Sequence, residues 1–348
     1  MSRARRMSAV RGRLSIFGVL MATIVGVQVV AIASVANAQE AVPPFRFFGG
    51  GSVWNRQLSG SAVLDASSAG VVGVLDAQVV ASEQARKGVY INTTAWSVPV
   101  YTVPAGQPTV RVLLNKANAS RNPLQAAWAA VPLPAGAVPA KGTDRHLVVW
   151  QPSTDKLWEF WAFEWTAAGP AAQWGGAMAN VSQSSGAYDL SSWPGANVLW
   201  GASASSLSIA GGLITLEDLE KGQINHALAM AVPNPRAGVF AAPAQRTDGW
   251  STEPMSLPEG AHLRLDPNLD LASLHLPRLT LMLAEAAQRY GIIVRDTASN
   301  LTFYAQDPTP TGTNPYAGAN GFFEGKTPQQ ITAAFTWNHL QLLKMELH

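Results

Sequence analysis

Thirty glycines and 23 prolines punctuate the 348-residue chain. Proline fixes φ and removes a backbone donor, and glycine admits conformations closed to other residues, so dense punctuation cuts a chain into short elements joined by turns. Short strands meet that constraint where long helices do not. With only 13% charged residues, the pattern leads to a mainly β fold, an antiparallel β-sandwich or jelly roll with a few peripheral helices.

Two stretches escape the punctuation. In LDASSAGVVGVLDAQVVASEQARKG, the residues Val71, Leu75 and Val79 recur at helical spacing and Gly88 supplies a stop, which predicts a helix over about 64–87. In LPRLTLMLAEAAQRYG, Pro277 suits a first turn, Leu279, Met282, Leu283 and Ala286 share a face, and Gly291 can close a helix over about 277–290. Shorter helical turns are expected at 216–221 and 328–334. Elsewhere the signals are strands. VPVYTV (98–103) and TVRVLLN (109–115) flank the turn PAGQP, and GIIVRD and LTFYAQ flank TASN; both read as paired neighbours. GQINHALAMAV (222–232) and AHLRLD (261–266) read as further strands. AVPLPAGAVPAKG (130–142) is a loop or a boundary.

The amino terminus carries Arg3, Arg5, Arg6, Arg11 and Arg13 ahead of an apolar run, Leu14 to Ala33, and then Ala36-Asn37-Ala38. A basic, apolar, small-x-small order is that of an export signal over 1–38, with an uncleaved anchor as the alternative. The remaining 39–348 reads as a single domain. Without the signal, 19 basic residues face 22 acidic ones, a net of −3. No Lys/Arg cluster marks a nucleic-acid or anionic membrane surface, so neither partner is expected once the signal is removed. An exported chain with no cysteine has no disulfide framework, thiol chemistry or Cys-ligated zinc, and must hold together by burial.

No G-x-S-x-G, H-E-x-x-H, P-loop or dinucleotide fingerprint is present, which excludes the common serine hydrolases, zincins, NTPases and nicotinamide enzymes. DPNLD (266–270) begins like a calcium loop but has Pro277 where the bidentate glutamate belongs, and reads as a turn. No metal or other cofactor is expected.

The richest chemistry lies in GTDRHLVVWQPSTDKLWEFWAFEW (142–165), a hairpin that combines Asp144, Arg145, His146 and Glu159 with Trp150, Trp158, Trp161 and Trp165. Indole rings offer the flat apolar area on which a sugar face packs, while carboxylates and Arg bond its hydroxyls. The same rings can equally form a core, with each glutamate paired to a cation. Alternation along 222–232 puts His226 with Leu228, Met230 and Val232, as a core histidine or a base. Asn225 falls with Ala227, Ala229 and Ala231, a stripe small enough for a helix or a ligand to approach. Asp189, in GAYDLSSW between glycine-bearing segments, is a third acid beside aromatics, or a turn cap.

The runs GTDRHLVVWQPSTDKLWEFW, GLITLEDLEKGQINHALAMAVP, APAQRTDG and AAQRYGIIVRDTASNLTFYAQDP together resemble a family of secreted bacterial proteins, over about Phe45 to Leu342. The resemblance implies a general likeness to carbohydrate-active or surface-associated sandwich proteins and carries no catalytic assignment. Its matching positions are Asp144, Arg145, His146, Glu159, Asp189, Asn225, His226, Gln245 and Arg246. Some relatives place a His after the Arg where this chain has Arg246-Thr247, which argues against proton transfer by that segment.

The resulting expectation is a secreted enzyme that cleaves a polysaccharide or cell-envelope glycan. Asp144, Glu159, Asp189 and His226 are the catalytic candidates, and Arg145, His146, Trp150, Trp158, Trp161, Asn225, Gln245 and Arg246 the substrate-binding ones. Hydrolysis would use Glu159 with Asp144 or Asp189; a lyase would use His226 as base, with Arg145 or Asn225 on a uronate carboxylate. A non-catalytic glycan-binding or cell-envelope surface protein, or a purely structural one, is the rival from another class.

Overall fold

A computed structural model describes residues 46–116 and 119–348. The expected export signal lies outside the described residues, and among those described no helix is long and apolar enough to cross a membrane.

Fourteen short strands carry the fold among the described residues. They are β1 (Tyr90–Asn92), β2 (Val98–Thr102), β3 (Leu113–Leu114), β4 (Leu147–Gln151), β5 (Lys156–Trp161), β6 (Glu164–Thr166), β7 (Gly169–Ala172), β8 (Trp174–Ala179), β9 (Leu228–Val232), β10 (His262–Leu265), β11 (Ile292–Thr297), β12 (Thr302–Tyr304), β13 (Gln306–Asp307) and β14 (Leu340–Leu342). Five helices accompany them: α1 (Ser68–Gln84), α2 (Pro123–Ala127), α3 (Leu216–Lys221), α4 (Arg278–Arg289) and α5 (Pro328–Thr332).

The strands form a six-stranded sheet in the order β1-β12-β9-β11-β10-β14, a five-stranded sheet β13-β2-β4-β5-β8, and a small sheet β3-β7-β6. All three are mixed. β1 with β12, β9 with β11, β2 with both β4 and β13, and β3 with β7 run parallel; the other neighbours are antiparallel. Parallel neighbours need long connections, and here loops and short helices supply them.

The six-stranded sheet lies between two cores, and the period-2 alternation of β9 shows how. Leu228, Met230 and Val232 join a core built with Val71, Leu75 and Val79 of α1, Leu279 and Leu283 of α4, and Ile331 of α5. Ala227, Ala229 and Ala231 face the other way, into a core shared with Val148, Trp158 and Phe160 of the five-stranded sheet. The alanine stripe admits neither a helix nor a ligand. Trp54 and the loop around Gly212 close on it, with the Ala227 amide donating to the Trp54 carbonyl at 2.7 Å and that of Ala229 to Gly212 at 2.8 Å. The proline-rich segment 130–142 is a packed loop, with Val131, Leu133 and Ala137 buried.

Three local expectations change. The segments 98–103 and 109–115 do not pair: β2 joins β4 and β13, whereas β3 joins β7 in another sheet. GIIVRD and LTFYAQ are not neighbours either, because β9 inserts between β11 and β12. The hairpin at 147–161 forms, turning through Pro152–Thr154 and the left-handed Asp155. Its second strand stops at Ala162, whose φ of +53° ends the alternation and sends Glu164 and Trp165 into the small sheet.

Candidate active site

Two hollows open side by side on the molecule, one of about 520 Å³ and one of about 590 Å³. Asp144 and Thr297 line both.

The first hollow is a cleft with carboxylates on its floor. Asp144 sits on the loop that enters β4, two residues before the buried His146. Asp296 reaches the cleft because β11 is bulged. Between Val294 and Asp296 the register against β9 shifts, leaving Asp296 opposite Ala231. Ala231 faces the five-stranded sheet, so Arg295 and Asp296 both leave the strand on that side, the re-aiming that bulges provide. The cleft rim carries the exposed Asp248, Trp161 and Trp174 form a wall, and the Lys116 ammonium lies 4.1 Å from the Trp174 ring centre. The opposite wall, Gly201 to Ala204, is held by Arg246, whose guanidinium donates to the carbonyls of Leu199, Gly201, Ser203 and Ala204 at 2.7–3.1 Å. Among the described residues, no group of three or more His, Asp or Glu side chains converges as metal ligands would.

Burial pushes the Asp296 carboxyl up to about 7; the Arg295 charge opposes the rise, while those of Asp248 and Asp144 add to it. Behind it, burial followed by the charges of Asp296 and Asp248 pushes Glu259 up to about 8. One Glu259 oxygen accepts from the Asp248 amide at 3.1 Å and the other has no partner among the described residues. Burial also pushes His146 down to about 4, with Arg295 reinforcing and Asp144 opposing, so its imidazole is neutral near pH 7. His146 Nδ1 finds no partner among the described residues.

Glu159 lies under this cleft rather than in it. Both faces of β5 are covered, and Glu159 is fully buried. Its carboxylate accepts from the Ala202 amide at 2.8 Å, the Ser208 hydroxyl at 2.7 Å and the Ile209 amide at 3.0 Å. These bonds tie the cleft wall at Ala202 to the hairpin. Arg295, also fully buried, donates to the carbonyls of Ile209 and Gly211 and stacks 3.9 Å from the Tyr304 ring centre. Burial raises the Glu159 pKa, against the lowering effect of its three hydrogen bonds.

Of the candidates read from sequence, the cleft therefore unites Asp144, His146, Trp161 and Arg246. The others go elsewhere. Trp150 and Trp158 are buried in the core. Arg145 pairs with Glu164 at 3.4 Å, outside the cleft lining. Asp189 caps its own turn, accepting from the Ser191 amide and hydroxyl. His226 bonds Asp218 at 3.0 Å and the Ala227 carbonyl at 2.8 Å beside a separate small cavity. Half-buried Asn225 precedes it, outside both hollows. Gln245 donates to the Tyr188 carbonyl at 3.1 Å.

Sequence reasoning passed over Asp296, Asp248, Glu259, Lys116 and Trp174. One signal was there: Arg295-Asp296 puts two consecutive charges at the end of the apolar GIIV, and strict alternation would have buried one of them in the helix-side core. No protein-family model, curated protein or solved structure significantly matches the chain.

Proposed function

We propose that the chain is an exported enzyme that hydrolyses a glycosidic bond in a polysaccharide, with Asp296 as general acid and Asp144 as its partner carboxylate. One observation carries the reading: in an open cleft walled by indoles, burial holds the Asp296 carboxyl up to about 7, and Asp144 lines the same cleft. Glycosidic hydrolysis uses two carboxyl groups, one of them held protonated as the acid.

In this reaction Asp296 gives its proton to the leaving oxygen as the bond from the anomeric carbon breaks. Asp144 either takes a proton from the water that adds to that carbon or attacks it directly, and the choice sets inversion or retention. Trp161 and Trp174 hold sugar faces. The basic and apolar amino terminus supports export and an extracellular or envelope glycan as partner. The scaffold is read as a β-sandwich of the two larger sheets, flanked by helices.

Reducing-end release from a panel of neutral and acidic polysaccharides tests this reading. Asp296→Asn should lower kcat by about 10²–10⁴ while leaving the fold intact, and Asp144→Asn should do the same. Product formation untouched by Asp296→Asn would remove the acid from the mechanism; binding without product from any substrate would make the cleft a glycan-binding site.

A further inference from the structure

The second hollow has a different character from the cleft it adjoins. Among its described lining residues, Asp144 is the one charged group, at the shared edge. The rest supply neutral hydrogen-bonding side chains, such as Asn92, Thr94 and Asn300, and aromatic surface.

Its most exposed aromatic, Trp96, is held in an unusual way. The residue has φ +51° and is 46% exposed. A bulky side chain in the left-handed region is a true outlier, and such strain persists only where the surroundings impose it. Here the Trp96 amide donates to the Lys141 carbonyl at 2.7 Å, the indole Nε1 donates to the Thr143 hydroxyl at 3.1 Å, and the Asn92 side chain donates to the Trp96 carbonyl at 3.2 Å. The ring rests against Gly142, itself at φ +96°, where a Cβ would come within 2.6 Å of the indole. Burial does not explain an indole fixed in this way at the surface.

We infer that Trp96 is a sugar-stacking platform, and that the two hollows form one trough for an extended neutral glycan that is cut internally at Asp144 and Asp296. This rests on the reading of the cleft as glycan-cleaving. Each hollow lies within the roughly 300–1,000 Å³ of small-molecule sites, so the pair accommodates several sugar units with the shared edge between them. Neutral amide and hydroxyl side chains match the hydroxyls of an uncharged sugar. An anionic one would meet Asp144 with no cation among the described residues of that hollow to balance it.

The test uses Trp96→Gly, since glycine takes φ +51° freely and removes the ring without adding backbone strain. In an Asp296→Asn background, binding to hydroxyethylcellulose, galactomannan, β-1,3-glucan, alginate and polygalacturonate is measured by affinity electrophoresis. In the active enzyme, kcat/KM is compared for hexa- and trisaccharides of whichever glycan is cleaved. The expected result is binding to a neutral polymer, weakened about tenfold by Trp96→Gly and partly restored by Trp96→Tyr, with the advantage of the hexasaccharide falling by a similar factor. Unchanged affinity and chain-length dependence in Trp96→Gly would overturn the inference while leaving the hydrolase intact. Binding confined to alginate or polygalacturonate would overturn the neutral substrate. If no glycan is bound or cleaved, the function proposed for the cleft falls, and this inference with it.

Discussion

Asp296 and Glu159 are both acidic residues beside aromatic surface, and their environments give them opposite uses. Asp296 is half-buried and open to the cleft; Glu159 is sealed and fully occupied as an acceptor. Glu159→Gln replaces one acceptor oxygen by an amide donor that must face at least one of the backbone or hydroxyl donors, and should cost about 1–3 kcal/mol of stability in urea unfolding while leaving the pH midpoint of catalysis in place. A moved midpoint would show that Glu159 acts on the chemistry. The Asp144-Arg145-His146 run at the mouth of β4 divides: Asp144 and His146 line the cleft, and Arg145 pairs with Glu164 outside it. Trp150 and Trp158 lie in the core rather than on a sugar platform because both faces of the hairpin are covered, which alternation along a strand does not reveal. Asp296 reaches the cleft through a bulge, a one-residue change of register that depends on the partner strand and whose one local mark is the pair of consecutive charges Arg295-Asp296.

Among the elements, one of the three expected short-turn hairpins forms, β4 with β5, whereas PAGQP and TASN join strands that do not pair with each other. The turn Gln151–Asp155 encodes its own reversal, and the helices announce themselves by apolar spacing, so α1 and α4 fall within the stretches expected for them. The insertion of β9 between β11 and β12 depends on pairs such as Ile292 with Leu228 and Phe303 with Met230, 64 and 73 residues apart, which no turn signal records. Strand β8 depends on close approach. At Gly176 a Cβ would overlap the ring of Tyr188, which is fully buried beside Glu159. Gly176→Ala should therefore destabilise by about 1–3 kcal/mol or more, read as a lower urea midpoint at constant m. A wild-type midpoint would mean that Tyr188 can yield, contrary to the packing described.

For the whole molecule, the carboxyls that equip the cleft also set how stability depends on pH. Asp296 and Glu259 are raised from ordinary carboxylate values of 3.8 and 4.5 to about 7 and about 8. A raised folded pKa means that the native state keeps protons the unfolded chain has released, so the contribution is lost as pH rises through the folded values. His146 and His262, pushed down to about 4 by burial, act the other way between about 4 and 6.5, where the unfolded chain binds the extra protons. Above about 6.5 these histidines are neutral in both states and the carboxyls alone decide between the two effects. His226 adds to their trend: burial lowers its pKa, but the Asp218 charge and hydrogen bond prevail and raise it. Thermal stability should fall from about pH 6.5 to 8, and Glu259→Gln should flatten that fall. A rising curve over the same interval would contradict the assignment.

The account depends most on a protonated carboxyl kept near neutrality beside Asp144. A ¹³C titration of the aspartate carboxyl carbons, with Asp296 assigned from Asp296→Asn, measures it without any substrate. The expected midpoint for Asp296 is about 7, moving toward acid in Asp144→Asn as a neighbouring charge is removed. A midpoint near 4 in the wild-type protein, unmoved by that substitution, would contradict the account.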